Sequence, residues 1–441
     1  MEICTRLICL TVLAWSGVSA LSAQDWPQFR GPNQDGTSNA KNTPVHWSET
    51  ENVAWKTELP GRGWSSPVIG DGKIWLTTAI EQAPTEAERQ QLLAGISAKK
   101  QEQRQVAARI QLAALCIDLE SGALERTIQL AEVSGPDSIH TLNSYASPTP
   151  TLADGLLFCD FGTFATVALD VTTGNVRWTR KLPIVHNVGP GSSPIVVGNL
   201  LILVRDGVDM QYVTALDTKS GETVWKTPRP PMRAANGAQK KAYSTPLLIE
   251  HDGREQLVIP TSQWIVSYEP STGKELWRAD HGSGFSLVPR AVHENGVIYA
   301  CTGFGKPQLW AVRVDGSGDV TESHVLWKET KRIPAKPSPL VANGRVYVVE
   351  DGGVASCFDG LTGKEIWSDR LGGNYSASPI LVADKIYIPS QEGKVAIFDA
   401  GDQFRLVAEN QIDGEIMASL APIDGGLILR SKTALYRIST P

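Results

Sequence analysis

A unit of roughly 40–50 residues recurs along this 441-residue chain, and that period constrains the fold more than any other feature. Each unit starts with a Ser-Pro dipeptide or a variant of it, continues through apolar strands separated by Gly turns, and ends in a Trp-containing strand. The eight starts are at Pro67, Pro148, Pro194, Pro246, Pro289, Pro339, Pro379 and a degenerate Leu420. Repeats of this length are typical of four-stranded propeller blades, so the sequence predicts an all-β, eight-bladed β-propeller.

Two kinds of tight turn support this prediction within each unit. The first kind joins strands one and two at Asp71-Gly72, Asp154-Gly155, Asn295-Gly296 and Asn343-Gly344, where the residues tolerate the positive φ that two-residue hairpins need. The second kind precedes the Trp strand, as at Thr173-Gly174 before Trp178. Large aromatic side chains at that position are suited to filling the space between blades.

The last unit lacks its Trp strand, since the sequence stops soon after the Ala434–Ile438 run. Val53-Ala54-Trp55-Lys56 is a Trp strand with no first three strands before it. We therefore expect the N-terminal segment to complete blade eight and close the ring, which removes the exposed edges of an open sheet.

The pattern Ala168-Leu169-Asp170, Thr173-Gly174 and Trp178 resembles the repeat of pyrroloquinoline-quinone (PQQ)-type propellers. The resemblance extends from Trp26 to Lys432 and is to exported bacterial PQQ-like repeat proteins, more distantly to the BamB-type propeller of outer-membrane assembly. It implies either a quinoprotein dehydrogenase or a non-catalytic scaffold.

The dehydrogenase branch implies a vicinal disulfide, calcium ligands and a catalytic Asp. No two cysteines here are adjacent, and no segment carries the calcium and base constellation. We therefore predict no catalytic residue, no metal site and no cofactor. The lipid-attachment Cys of BamB itself is also missing from the cleavage region.

The first 23 residues have the features of a signal peptide: Arg6, a short apolar stretch and small residues before Gln24. We expect residues 24–441 to form one exported domain, periplasmic or extracellular and monomeric. Cys116, Cys159, Cys301 and Cys357 remain, and the equivalent repeat positions of Cys116 and Cys357 put them in different blades. Four buried free thiols are expected, although an exported protein could pair cysteines.

The net charge of −6, without a run of Lys or Arg, argues against a nucleic-acid or anionic-membrane binder. No segment in the mature part is apolar for long enough to span a bilayer. The seven histidines are scattered without zinc-ligand spacing, and there is no Gly-x-Ser-x-Gly hydrolase motif.

Loop lengths distinguish the two faces of the predicted disc. The tight Gly turns occupy one face, here called the tight-turn face, and every connection of variable length occupies the other, the variable-loop face. The interval of 81 residues between Pro67 and Pro148 predicts a helical insertion at residues 81–114 on the variable-loop face. Thr85 and Glu88 have capping-box spacing, and Gly95 should break the helix.

Residues that lead into the innermost strands also lie on the variable-loop face, around the axis. Five of them are aromatic and several are polar: Trp64, Tyr145, Tyr243, Phe285 and Tyr375, with His140, Asn143, Lys241, Arg290, Lys336 and Asn374. They predict a binding funnel at the mouth of the channel. The alternative is that these bulky side chains only plug it.

From these features we expect an exported, non-catalytic binding or scaffold protein that holds a protein or polymer partner on the variable-loop face, in envelope protein assembly. Two alternatives remain open: a PQQ- and calcium-dependent oxidoreductase, and a glycan- or polymer-binding module using the same aromatic residues.

Overall fold

The computed structural model describes residues 25–282 and 284–440, which form eight four-stranded antiparallel sheets arranged as a propeller. The all-β, eight-bladed prediction is confirmed. The predicted signal peptide lies outside the described residues. Across the described ranges, no helix is long and apolar enough to cross a membrane.

The strands of the first four blades follow from the innermost outward. Blade one has Val68–Gly70, Lys73–Gln82, Arg109–Asp118 and Leu124–Ser134; blade two has Thr151–Ala153, Leu156–Asp160, Thr166–Asp170 and Val176–Arg180; blade three has Ile195–Val197, Leu200–Asp206, Gln211–Asp217 and Thr223–Pro228; blade four has Leu247–His251, Arg254–Thr261, Trp264–Tyr268 and Glu275–Asp280.

The other four blades follow the same order. Blade five has Val292–Glu294, Val297–Cys301, Leu309–Arg313 and Val325–Glu329; blade six has Leu340–Ala342, Arg345–Val349, Val354–Asp359 and Glu365–Arg370; blade seven has Ile380–Val382, Lys385–Pro389, Lys394–Asp399 and Leu406–Gln411; blade eight has Ala421–Ile423, Gly426–Arg430, Ala434–Ser439 and Val53–Glu58.

Several two-residue strands and short helices lie outside the eight four-stranded sheets. Gly318–Asp319 pairs in parallel with the outer strand of blade four, and Thr37–Ser38 with the inner strand of blade seven; Arg104–Gln105 pairs with Ile139–His140, and Gly284–Phe285 with Phe304–Gly305. The helices are Glu86–Leu92, Ala98–Gln101 and the 3₁₀ turn Gly237–Gln239.

The core lies between neighbouring sheets, because each blade buries both of its faces against the next. Ile202 and Val204 of blade three, for example, share one buried cluster with Leu257 and Ile259 of blade four. The four cysteines are unpaired and buried in these layers, as predicted. Burial raises the pKa of the Cys357 thiol to about 12, so it remains protonated at neutral pH.

The N-terminal strand closes the ring as predicted. Val53–Glu58 pairs antiparallel with Ala434–Ser439, with Trp55 opposite Arg437. The Nε1–H of Trp55 donates to the carbonyl of Leu119 in blade one at 3.2 Å.

Internal interfaces use the same contact, which explains the recurrent Gly and Trp. The Nε1–H of Trp178 in blade two donates to the carbonyl of Thr218 in blade three at 2.9 Å. A Cβ added to Gly221 would lie 2.6 Å from the Trp178 ring, so the turn needs glycine for its φ of +70° and for this close approach.

The insertion in blade one is shorter than predicted. Residues 81–82 and 109–114, assigned above to a helical segment, belong to the strands Lys73–Gln82 and Arg109–Asp118. The reason is that residues 110, 112 and 114 all join the buried cluster shared with blade two, whereas residues 115 and 117 join the cluster on the other side of the sheet, which is the period of a strand. The capping box is present, with Glu88 N–H donating to Thr85 Oγ1 at 3.3 Å and Thr85 N–H to Glu88 Oε2 at 2.8 Å, and Gly95 follows the helix with φ of +80°.

The insertion bends over the variable-loop face. Its Arg104 pairs with His140 in the small two-stranded sheet. Arg104 Nη2 also donates to Asn187 Oδ1 at 2.6 Å, in the connection between blades two and three. The arm is therefore tied to the loops that surround the axis.

Residues 26–41 cross the channel near its tight-turn face, an arrangement that the sequence did not reveal. Trp26 forms a bridge with Ile69 of blade one, the carbonyl of Pro27 accepts from Leu152 N–H of blade two at 2.8 Å, and the carbonyl of Gly36 accepts from Leu381 N–H of blade seven at 2.9 Å. This crossing segment therefore pairs with inner-strand edges that would otherwise face the channel.

Candidate ligand-binding cavity

A cavity of about 530 Å³ lies on the propeller axis and opens on the variable-loop face. Its walls come from the connections that lead into the inner strands, including Trp64, His140, Tyr243 and Lys336. Phe29 of the crossing segment also lines it. Because that segment runs near the tight-turn face, it makes the floor of the cavity.

Serine or threonine side chains line the cavity at seven of the eight repeat starts: Ser66, Ser147, Thr149, Ser193, Thr245, Ser338, Ser378 and Ser419. The start of blade five has Val288 instead, and the serine that lines the cavity there, Ser286, lies two residues earlier.

Seven hydrogen bonds link these starts from one blade to the next around the axis. In each, a backbone N–H donates to the hydroxyl of the following blade, as from Ser66 to Thr149 at 2.9 Å and from Ser419 to Ser66 at 3.1 Å; the others run from Thr149 to Ser193, Ser193 to Thr245, Arg290 to Ser338, Ser338 to Ser378 and Ser378 to Ser419. A hydroxyl that accepts an N–H still has its own proton to donate. The proton of Ser378 is already donated to Ser338 Oγ at 2.9 Å. The other hydroxyls of the ring can offer O–H donors to whatever occupies the axis.

The ring has one gap, at the step from blade four to blade five. There Arg290 takes the place of a hydroxyl, and its guanidinium donates to the carbonyls of Phe29 at 2.8 Å and Pro246 at 2.5 Å. Burial lowers the pKa of Arg290 to about 9, with a further contribution from the nearby Arg30. Arg290 thus holds the crossing segment beneath the cavity.

Trp64 and Tyr243 form aromatic walls. Tyr243 O–H donates to the carbonyl of His186 at 2.8 Å, and burial raises its pKa. Trp64 is 6% exposed, and its Nε1–H has no acceptor among residues 25–282 and 284–440. A buried donor without a partner costs free energy unless a ligand or water supplies an acceptor.

Positive groups from three separate connections, Arg104, Lys241 and Lys336, surround His140 near the mouth. His140 Nδ1 accepts from Leu142 N–H at 3.1 Å, which leaves the ring proton of the neutral form on Nε2. The pKa of His140 lies below its ordinary value because of burial, then because of Arg104, Lys241 and Lys336. Arg104 belongs to the insertion of blade one, and Lys241 and Lys336 lead into blades four and six. Because all three influence the same imidazole, they lie on one side of the disc around the axis.

The predicted funnel residues divide into two groups. Six of them line the cavity: Trp64, His140, Asn143, Tyr243, Phe285 and Lys336. Lys241 lies beside the cavity and is not among the residues that line it. The remaining four, Tyr145, Arg290, Asn374 and Tyr375, do not line it either.

Each of the four has another environment. Tyr145 is fully buried in the core of blades one and two and donates to the carbonyl of Asp137 at 3.2 Å. Tyr375 is fully buried in the cluster formed by blades six and seven. Asn374 donates to Glu392 Oε1 at 2.8 Å on the rim, and Arg290 lies below the cavity, as described.

Sequence reasoning missed Phe29 and the hydroxyl ring. The Ser-Pro recurrence was visible, but it was interpreted only as the start of a strand. The Ser-Pro dipeptide persists in blades whose sequences otherwise differ, and this persistence was the signal that the hydroxyl has a role beyond starting a strand.

The cavity does not fit the calcium ion of a quinoprotein site. Calcium takes six to eight oxygen ligands, with carboxylates prominent among them, and no Asp or Glu lines this cavity. The one side-chain amide there, Asn143, is already used: Nδ2 donates to the carbonyls of Val188 and Pro190, and Oδ1 accepts from Ser144 and Ser147. In the described part of the chain, no group of three or more His, Cys, Asp or Glu could hold a metal ion.

A ring of eight PQQ-like blades around one axial cavity defines the class of this protein as a PQQ-like β-propeller. Within that class, the chain belongs to the family described as outer membrane protein assembly factor BamB, whose model matches residues 37–227, 122–259 and 261–420.

A curated relative is outer membrane protein assembly factor BamB of Moranella endobia, 23% identical over 272 residues, which are 58% of this chain and 65% of the relative. The chain spans 48% and 65% of the lengths of the first two curated relatives that it matches.

Two solved structures share the fold. The crystal structure of BamB from Moraxella catarrhalis has a TM-score of 0.57 at 14% identity, covering 87% of this chain and 99% of its own. Quinohemoprotein alcohol dehydrogenase from Comamonas testosteroni has a TM-score of 0.63 at 11% identity, covering 95% and 81%. Identities this low show the fold alone.

Proposed function

We propose that this protein is an exported, non-catalytic scaffold of envelope protein assembly, which binds a polypeptide partner in the axial cavity on the variable-loop face. The observation that carries the proposal is the cavity itself, whose walls combine aromatic side chains, hydroxyl groups and the ammonium group of Lys336 without a carboxylate. Pockets of this kind, concave and apolar with a few converging polar groups, are typical binding sites.

The surroundings of the cavity favour a polypeptide over an enclosed small molecule. Leu142, Val288 and Phe304 line the mouth and remain 37–48% exposed. Exposed apolar side chains that continue from a pocket onto its rim are typical of protein interaction sites. Membership of the BamB family supports an assembly role, because that family is described as an outer membrane protein assembly factor.

Site-specific photo-crosslinking in the native envelope tests this proposal. A photoreactive amino acid replaces Leu142 at the mouth, and in a matched control it replaces Leu361, which is 75% exposed on the tight-turn face. We expect position 142 to yield a discrete crosslinked product, which mass spectrometry identifies as an envelope assembly component or an outer-membrane polypeptide.

Equal products from positions 142 and 361 would contradict the assignment of the face. Absence of any product at 142 would contradict the proposed function.

The quinoprotein alternative has its own test. The dehydrogenase fold neighbour motivates it, while the donor set of the cavity argues against it. We expect addition of PQQ and calcium to the purified protein to produce neither a shift in melting temperature nor dye-linked alcohol oxidation. Turnover that needs both additives would establish the alternative.

A further inference from the structure

The polar groups around the axial cavity are almost all hydrogen-bond donors or cations. The Trp64 indole N–H, the His140 Nε2–H and the hydroxyl ring point to a ligand that supplies acceptors. Lys336 adds a positive charge to the lining, although Asp351 lies 3.5 Å from its ammonium group.

Lys241 is the cation with no compensation. It leads into blade four, is 6% exposed overall, and its ammonium group forms no hydrogen bond or ion pair with residues in the described ranges. Its Nζ is not among the buried polar atoms that lack a partner, so the ammonium group keeps some contact with solvent and is accessible to a ligand.

Arg104 supplies a second uncompensated charge from the insertion. Its described side-chain partner is the neutral Asn187, through the backbone carbonyl and Oδ1. Arg104 pairs with His140, and the carbonyl of Lys241 accepts from Ser286 N–H at 2.8 Å; His140 and Ser286 both line the cavity. After burial, Arg104 also contributes to lowering the pKa of Lys241. Neither Lys241 nor Arg104 is among the residues that line the cavity, so the two cations flank its mouth. The lining itself contains no carboxylate, in a chain whose net charge is −6.

We infer that the group by which the polypeptide partner is anchored is a carboxylate, held at the mouth by Lys241 and Arg104, while a neighbouring apolar side chain of the partner enters the cavity. This inference rests on the proposed function and adds the chemistry of the partner: an acidic peptide segment with an adjoining apolar residue. Charge-assisted hydrogen bonds to a carboxylate satisfy the donors that the chain leaves open. Leu142, Val288 and Phe304 on the rim give the rest of the peptide an apolar surface.

Affinity selection from a random dodecapeptide library tests the inference without assuming a sequence. The purified full-length mature protein is compared with Lys241→Met and Arg104→Met, whose folding is checked by circular dichroism melts. Lys364→Met is the matched control, because Lys364 is exposed beyond a tight turn on the opposite face. We expect wild type and the control to enrich Asp or Glu beside apolar residues.

For a selected peptide, we expect Asp→Asn and Glu→Gln replacement to weaken binding about tenfold, which corresponds to about 1.4 kcal/mol. In each cavity variant, that preference should shrink toward unity, and rising salt should reduce it in wild type. Selected peptides that bind the amide form equally well would overturn the carboxylate inference and leave the proposed function standing. Failure to select any peptide would overturn both.

Discussion

Comparing Trp55 at the ring closure with Trp178 at an internal interface measures how much the closing contact contributes to the free energy of unfolding. Each donates its Nε1–H to a carbonyl of the next blade, and each packs its ring on a turn glycine, Gly122 or Gly221. Replacement by Ala removes packing and the hydrogen bond, whereas replacement by Phe removes chiefly the hydrogen bond. We expect four different losses of unfolding free energy from these four variants.

The magnitudes follow from burial and from what happens to each carbonyl. Trp178 is 9% exposed, so Trp178→Ala should cost about 3–5 kcal/mol; Trp55 is only half-buried, and Trp55→Ala should cost about 2–3 kcal/mol. In Trp55→Phe the carbonyl of Leu119 keeps a second donor, Arg437 Nη1 at 2.9 Å, so the loss should be about 0.5–1 kcal/mol. Trp178→Phe leaves the buried carbonyl of Thr218 without its indole donor and should cost about 1–3 kcal/mol.

Equilibrium unfolding in guanidinium chloride, followed by far-ultraviolet circular dichroism, measures these differences independently of the lost indole fluorescence. Val224→Ala is the control, since Val224 is 52% exposed beside Trp225 and should change stability by less than about 0.5 kcal/mol. Stability of Trp55→Ala equal to this control would refute closure by the N-terminal strand. Equal losses in the two Phe variants would refute the role given to Arg437.

Two further predictions concern the insertion and acid stability. Replacing residues 83–108 by Asn-Gly should join Gln82 to Arg109 as a two-residue hairpin and leave a cooperative thermal unfolding transition. The reason is that the helix Glu86–Leu92 buries no residue and the whole deleted segment buries only three hydrophobic side chains, Leu93, Val106 and Ala107. Loss of the cooperative transition would contradict this prediction. Burial lowers the pKa of His186 to about 3 and of His281 to about 4, so the unfolded chain binds protons first and stability should fall as pH drops from about 6.5 toward 4. The variant with both His186→Gln and His281→Gln should show a flatter dependence of unfolding free energy on pH between 7 and 4.5. A slope equal to that of the wild type would contradict the role given to these two histidines.

The blades could be predicted because their determinants are local. A two-residue turn such as Asp71-Gly72 fixes its hairpin through its own φ angles, 52° and 71°. Closure was predictable for a different reason, namely that one Trp strand at Trp55 matched one unit without such a strand.

The predicted boundaries of the insertion were wrong because the helix-like composition of the segment was given more weight than its strand periodicity. Residues 109–114 continue a segment rich in Gln, Ala and Arg, which suggests a helix, yet residues 110, 112 and 114 pack together into the cluster between blades one and two. Tertiary packing decides such a segment, and helix propensity contributes little.

The cavity was only partly predictable. Position next to an inner strand identified Trp64, His140 and Tyr243, but it could not separate them from Tyr145 and Tyr375, which turn into the core between blades. That choice depends on side-chain direction, which sequence spacing leaves open. The crossing segment escaped detection because it has no strand period and contacts partners far away in the sequence.

Two pairings between distant parts of the sequence constrain the order in which this protein can fold during synthesis. Val53–Glu58 pairs with Ala434–Ser439, and Thr37–Ser38 pairs with Leu381 and Val382. Ribosomes add about 5–20 residues per second, so the strand containing Trp55 waits roughly 20–80 s for its partner to be made. During that time the early blades can form their local hairpins, but the strand Val53–Glu58 has no strand to pair with. The ring therefore cannot be completed in the order in which its blades are made, and its last step joins a strand made early to one made much later.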